Sequence, residues 1–295
     1  VHAHQLLTID LPQEFDFAVN LAYMQRNAKE CMYAIDNETI TRALEIGGER
    51  LLIRVSAHEN RQLLVHFLSG GPVDGVESYI RDWFDLGTDL APFYEMAKTD
   101  PLLRSTVEAH YGLRNIGLPD LFEALCWGIL GQQINLGYAY TLKRQFVEKF
   151  GEAVEHEGVP YWIFPSYKKI AELSSEDMGD IKMTVKKSEY ITGVARLMAS
   201  GELSKEGLLA LGSLGAIEKE LIRIRGIGPW TANYVLLRCL RYPDAFPVDD
   251  VGLINAIKFQ LGLDRKPTKA EILELAVPWE DWKAYATFYL WRLLY

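Results

Sequence analysis

Leu221-Ile222-Arg223-Ile224-Arg225-Gly226-Ile227-Gly228-Pro229-Trp230-Thr231-Ala232-Asn233-Tyr234 reads as a helix, a turn holding two glycines, and a second helix. The first helix is amphipathic and ends at Gly226. Pro229 then opens the second at the first helical position, where a missing N–H costs nothing. Glycines in the turn let the backbone approach a phosphate closely. The second helix aims its unpaired N–H groups and positive dipole end at that anion. The whole is a clamp for a DNA backbone that asks for little side-chain charge. Taken alone, the same pattern also fits a plain helical hairpin, or a DNA-holding module with no chemistry of its own.

The bulk composition leaves room for this reading. The chain has 295 residues, 49% apolar, 24% charged and 12% aromatic, which is enough for two or three packed lobes of ordinary globular character. No run reaches the roughly 18 apolar residues of a membrane span, and the first ten residues lack a signal peptide's basic segment and apolar core. Cys31, Cys126 and Cys239 lie far apart, so they suit a reducing cytoplasm and form neither a zinc nor an iron–sulfur set. His2 and His4 are neighbours at what reads as a frayed end, not a metal pair. The net charge of -9 excludes a protein that coats nucleic acid nonspecifically. Residues 216–242 are an exception, since Lys219, Arg223, Arg225, Arg238 and Arg241 outnumber Glu218 and Glu220. That basic footprint coincides with the hairpin.

The fold class expected is α+β. In the first hundred residues, Gln5–Ile9, Thr39–Ile46, Arg50–Val55 and Leu63–Leu68 have strand-like content, with Gly47-Gly48 as a hairpin turn. Phe15–Arg26 and Val76–Phe84 read as amphipathic helices on one face of an antiparallel sheet. From about Ser105 the pattern becomes helical only. The helices expected there are Leu118–Gly131, Leu136–Phe150, Tyr167–Leu173, Lys186–Ser200, Ser204–Leu211, Ile217–Ile224, Pro229–Leu240, Val251–Leu261, Lys269–Leu275 and Trp282–Leu294. Pro165, Gly201, Gly212, Gly215, Pro243 and Pro267 punctuate them. Gly70-Gly71-Pro72 is a turn without the lysine of a phosphate-binding loop.

Beyond the hairpin comes Phe246-Pro247-Val248-Asp249-Asp250-Val251-Gly252-Leu253, two adjacent carboxylates at a helix start. Asp does this by default as an N-cap. The combination of hairpin and downstream Asp nevertheless resembles the helix-hairpin-helix DNA glycosylase superfamily. Gly226-Ile227-Gly228-Pro229-Trp230-Thr231-Ala232-Asn233-Tyr234, with the doublet twenty residues past Trp230, resembles its DNA-3-methyladenine glycosylase II branch. Ile129-Leu130-Gly131-Gln132-Gln133 is similar to that branch's intercalation loop, and the sheet-bearing first lobe to its noncatalytic domain.

The resemblance implies a TATA-binding-protein-like domain over residues 1–105 and a two-lobed helical glycosylase core over 106–295. The hairpin-bearing lobe would span 121–245, and the second lobe 106–120 with 246–295, the active site lying in the cleft between them. Val-Asp matching with oxidised-guanine glycosylases would select Asp249 as catalyst; the spacing and the doublet of the alkylpurine branch select Asp250, leaving Asp249 to cap or orient the helix. Trp230, Tyr234 and Trp291 form the implied pocket for a flipped base, whose alkylation makes it cationic and attractive to electron-rich rings. Gly226, Ile227, Gly228, Thr231, Gln132 and Gln133 would contact DNA, Gln133 as the wedge that fills the gap. Arg292 stands where relatives usually carry an aromatic.

Bifunctional relatives have a lysine at the position of Trp230, which implies base removal without strand cleavage. No catalytic cofactor is implied; carbonyls of Ile222, Ile224 and Ile227 would hold a structural Na+ or K+. The partner expected is duplex DNA with a damaged base, bound by a monomer in the cytoplasm (on the nucleoid, if bacterial) and away from membranes. An oxidised-purine glycosylase/lyase and a noncatalytic hairpin protein are the alternatives.

Overall fold

The computed structural model describes residues 6–295, so His2 and His4 lie outside the described residues. Five strands, β1 (Leu6–Asp10), β2 (Ala34–Asp36), β3 (Thr39–Ile46), β4 (Glu49–His58) and β5 (Gln62–Ser69), form one antiparallel sheet in the order β1-β5-β4-β3-β2. Strand period sets its inner face, for Leu63, Val65 and Phe67 on β5 are buried while the residues between them are not. Gly47 and Gly48 turn β3 into β4 with φ of 61° and 82°, as a two-residue hairpin requires. Helices α1 (Phe17–Met24), α2 (Val76–Trp83), α3 (Ala91–Ala97) and α4 (Arg104–Ala109) complete this half. β2, α3 and α4 are too short to leave a sequence period.

The helical half comprises α5 (Leu121–Leu130), α6 (Leu136–Phe150), α7 (Tyr167–Ala171), α8 (Val185–Ala199), α9 (Lys205–Leu209), α10 (Leu214–Ile222), α11 (Pro229–Arg238), α12 (Val251–Leu261), α13 (Lys269–Leu275) and α14 (Lys283–Trp291). The expectation of helices alone after Ser105 is wrong in one place. β6 (Glu152–His156) and β7 (Val159–Ile163) pair antiparallel, and β7 packs against β3. Glu157 and Gly158 make their turn with φ of 51° and 78°. A five-residue strand interrupted by Pro160 shows too little alternation to be read from sequence. Gly215 likewise lies inside α10, where Ser213 caps the helix start, and does not break it.

The halves share one continuous apolar core. Polar ties cross it: the Tyr94 and Tyr289 hydroxyls meet at 2.8 Å, and Thr106 Oγ1 donates to the Tyr289 carbonyl at 3.2 Å. Tyr289, fully buried, is therefore a strut and not a pocket residue. Arg114 is also fully buried, its guanidinium shared among the carbonyls of Glu14, Asp85 and Thr88.

Candidate active site

α10 ends beside Gly226, whose φ of 95° only glycine adopts without strain. Its Cα faces the Tyr190 ring so closely that a Cβ would lie 2.3 Å from it. The Ile227 N–H returns to the Ile224 carbonyl at 3.0 Å, closing the turn. Gly228 then caps α11 without a side-chain hydrogen bond, and Pro229 follows. The N–H groups of Trp230 and Thr231 therefore lie in the helix turn where no intrahelical acceptor exists. These are the donors an anion would use.

Two of the expected DNA-contacting side chains are engaged within the protein. Thr231 is only 2% exposed, and its hydroxyl accepts from Gln132 Nε2 at 3.1 Å; it can offer DNA its backbone N–H but not its side chain. Gln132 also donates to the Gly226 carbonyl at 2.8 Å, so its amide hydrogens tie the α5–α6 loop to the hairpin and its Oε1 is what the side chain has left to offer. The tight approach of α5 to α11 makes that tie reachable: a Cβ on Gly128 would lie 2.7 Å from Thr231 Cγ2. Gln133, in contrast, is exposed at the loop tip with a left-handed φ of 57°.

The basic footprint thins: Lys219, Arg223 and Arg225 are exposed, Lys219 with no ion pair among the described residues, while the other two are not. Arg238 is buried against the Ile116 carbonyl and Arg241 pairs with Asp82, so neither faces outward. Arg223 and Arg225 are exposed but paired with Glu220 and Glu189. Exposed positive charge thus remains at Lys219, Arg223 and Arg225 in addition to the hairpin's amides.

Asp250 is the N-cap of α12. Its Oδ1 accepts from the Leu253 N–H at 2.7 Å and from Trp291 Nε1 at 2.9 Å, and its Oδ2 accepts from Trp230 Nε1 at 2.8 Å. Three donors from three helices hold the carboxylate in one place. Gly252 leaves room for this, since a Cβ there would stand 3.0 Å from Oδ1 and 3.4 Å from the Trp291 ring. Asp249 does not cap the helix as expected. Its carboxylate points away to Lys269 at 3.2 Å and is 56% exposed. The cap falls one residue later because the Asp250 N–H closes a turn onto the Pro247 carbonyl.

Trp230 and Tyr234, one turn apart on α11, stack at 5.5 Å with planes 28° apart, and Trp291 stands 6.0 Å from Tyr234. The three line a cleft of about 720 Å³ together with Asp250, Gln133 and Trp127. The Tyr234 hydroxyl accepts from Trp127 Nε1 at 2.8 Å and from Arg238 Nη1 at 2.6 Å. Burial raises this phenol above its usual range, against the pull of the Arg238 guanidinium, and keeps it neutral. Arg292 lies behind the cleft wall, half-buried, with Nη1 on the Tyr295 carbonyl.

Sequence reading missed several contributors. Tyr23 and Arg26 reach the cleft from the N-terminal half, and Trp127 and Arg238 fix Tyr234. Asn233 donates to Glu218 and accepts from the Phe246 N–H, anchoring the segment that leads to Asp250. Only the spacing of Tyr234 and Arg238, four apart on one helix, carried a signal.

Comparison with known proteins agrees with this geometry. Residues 126–281 match the family model of the HhH-GPD superfamily base excision DNA repair proteins, and residues 9–125 that of the 8-oxoguanine DNA glycosylase N-terminal domain. The DNA-3-methyladenine glycosylase of Bacillus subtilis (strain 168) is 59% identical over 298 residues, which cover 99% of this chain and 98% of that protein. The fold is that of the 3-methyladenine DNA-glycosylase from Archaeoglobus fulgidus, with TM-score 0.81, 22% identity and 97% of each chain covered. The Clostridium acetobutylicum 8-oxoguanine glycosylase/lyase in complex with duplex DNA also shares it, with TM-score 0.75, 18% identity and 98% and 97% of the two chains covered.

Proposed function

The chain belongs to the HhH-GPD superfamily of base excision DNA repair proteins, and from that premise we propose that it is a monofunctional glycosylase hydrolysing the N-glycosidic bond of alkylated purines in duplex DNA. The observation that carries the reading is the Asp250 carboxylate, fixed by two indole N–H groups and a helix N-terminus in the mouth of an aromatic cleft.

The hairpin amides hold a phosphate of the damaged strand, and the lesion turns out of the stack into the cleft. Gln133 enters the gap. The rings of Trp230 and Trp291 face the cationic base, an attraction of ~0.5–2 kcal/mol. An alkylated purine leaves readily, so positive charge builds on the sugar as the bond to C1′ lengthens. Asp250 stabilises that charge without rearranging, because its hydrogen bonds are in place beforehand. Water then adds at C1′. Trp230, standing where a lyase would need an amine, offers no nucleophile for a Schiff base.

The reading extends to a monomer acting on DNA in the cytoplasm, its cleft lying between a hairpin lobe (121–245) and a second lobe (106–120 with 246–295). Free cysteines fit that compartment. A monovalent cation at the hairpin is compatible with the donors present. The Ile224 carbonyl uses one lone pair on the Ile227 N–H and keeps another, and with the neutral carbonyls of Ile222 and Ile227 it would hold such an ion. Bound there, the cation would add positive charge near the phosphate.

The test is incubation with dimethyl-sulfate-treated duplex DNA and chromatography of the released bases. Free 3-methyladenine and 7-methylguanine with an uncleaved strand are expected. Release of no base, or strand scission accompanying release, overturns the proposal.

A further inference from the structure

The lining of the cleft is not purely aromatic. Arg26, from the segment after α1, lines it, with its guanidinium 4.1 Å over the buried Tyr23 ring and 6.0 Å from the Tyr295 ring. Arg26 and Arg238 also border a separate interior cavity of about 20 Å³, which places them on the partition behind the cleft. Asp250 lines the same cleft, between the exposed residues Asp249 and Val251.

The two arginines differ in what they have left to give. Arg238 spends Nε on the Ile116 carbonyl and Nη1 on the Tyr234 hydroxyl. Arg26 makes one hydrogen bond among the described residues, a long 3.3 Å contact from Nη1 to the Tyr23 carbonyl, and no ion pair. A guanidinium has five N–H donors. Most of those of Arg26 are therefore unspent, on a guanidinium whose carbon lies 4.1 Å from the Tyr23 ring centroid.

A purine held with C1′ at Asp250 is anchored through N9, and its 6-position is on the ring edge away from that bond. That edge enters the cleft first, and Arg26 is the residue of the lining with guanidinium donors to spare. We propose that Arg26 reads this edge, favouring a purine with a carbonyl oxygen at the 6-position over one with an amino group. A carbonyl accepts from the guanidinium, whereas an amino group opposes donor to donor. Arg26 acts as a specificity residue from the lobe that holds no catalytic group. The inference rests on the alkylpurine glycosylase reading above.

Wild-type protein, Arg26→Met and Arg26→Gln are incubated in single turnover with one dimethyl-sulfate-treated duplex, and 3-methylguanine and 3-methyladenine are quantified. The two bases share the alkyl position. They differ at the 6-position, in a 2-amino group, itself a donor and no partner for a guanidinium, and at N1, which carries a hydrogen in the guanine and is a bare acceptor in the adenine, so the contrast to be read is O6 with N7 against the 6-amino group with N7. Arg26→Met should lower 3-methylguanine release about tenfold relative to 3-methyladenine, a typical value of one good arginine–base contact. Arg26→Gln, whose amide can accept as well as donate, should shift the ratio the same way and fills the site if the Met variant does not fold. Equal losses of both bases, as a packing or phosphate-binding role would give, overturn the inference. Wild-type protein that releases neither base overturns the glycosylase reading itself, so the two failures are distinct.

Discussion

Asp250→Asn separates charge from geometry better than any other substitution in the cleft. The carboxylate serves three donors, two on Oδ1 and one on Oδ2. An asparagine with its carbonyl at the Oδ1 position keeps the Leu253 N–H and the Trp291 indole, so α12 stays capped. Its amide nitrogen then faces Trp230 Nε1, donor against donor. Losing one hydrogen bond to a charged group costs about 1.5–3 kcal/mol of stability. Because Trp230 is half-buried and can turn to water, the lower end of that range applies. The effect on chemistry is larger. Removing one preorganised group from a developing charge typically costs about 2.7–4 kcal/mol of barrier, a hundred- to thousandfold in rate. Single-turnover release of 7-methylguanine, with binding to an abasic-analogue duplex followed in parallel, measures both. The expected result is a rate lower by at least a hundredfold with affinity within a few-fold of wild type. Asp249→Asn loses only its exposed pair with Lys269, worth about 0–1 kcal/mol, and should excise normally. An active Asp250→Asn beside an inactive Asp249→Asn would refute the assignment of the doublet.

Three further outcomes follow from the same geometry. Gln133→Gly should stabilise the free protein by about 1 kcal/mol, because φ of 57° strains a non-glycine residue, yet slow excision from paired DNA far more than from a lesion opposite a gap; equal slowing on both substrates would show that Gln133 supports the loop instead of the opened duplex. Gly252→Ala places a methyl 3.0 Å from Asp250 Oδ1 and should lower the rate about tenfold or more while leaving DNA affinity unchanged, a pattern to be sought in single-turnover rates and anisotropy titrations. Borohydride added during turnover should trap no covalent protein–DNA adduct, since Trp230 replaces the amine a lyase needs; a trapped band lost on mutating one lysine would contradict this.

The sequence by itself determined the hairpin and the carboxylate after it. Both depend on short-range chemistry: Gly226 at positive φ, Pro229 at a first helical position, and an Asp one residue before Val251. It also determined the long helices, such as α6 and α12, whose periods persist for two turns or more. Tertiary structure alone decided what those residues touch. Trp230 and Trp291 reach Asp250 across 20 and 41 residues of chain, and Gln132 reaches Gly226 across 94. Periodicity says which face of a helix is buried but not which side chain waits on the facing element, because that follows from the angle and offset at which the elements pack. For the same reason neighbouring residues parted company. Gln132 locked onto the hairpin while Gln133 stayed free, and Asp250 turned into the cleft while Asp249 turned to Lys269. Arg26 lies more than a hundred residues from any cleft residue outside its own lobe, and no local pattern marks it; only the docking of the sheet-bearing half against α6 and the C-terminal residues brings its guanidinium to the place where a base would arrive.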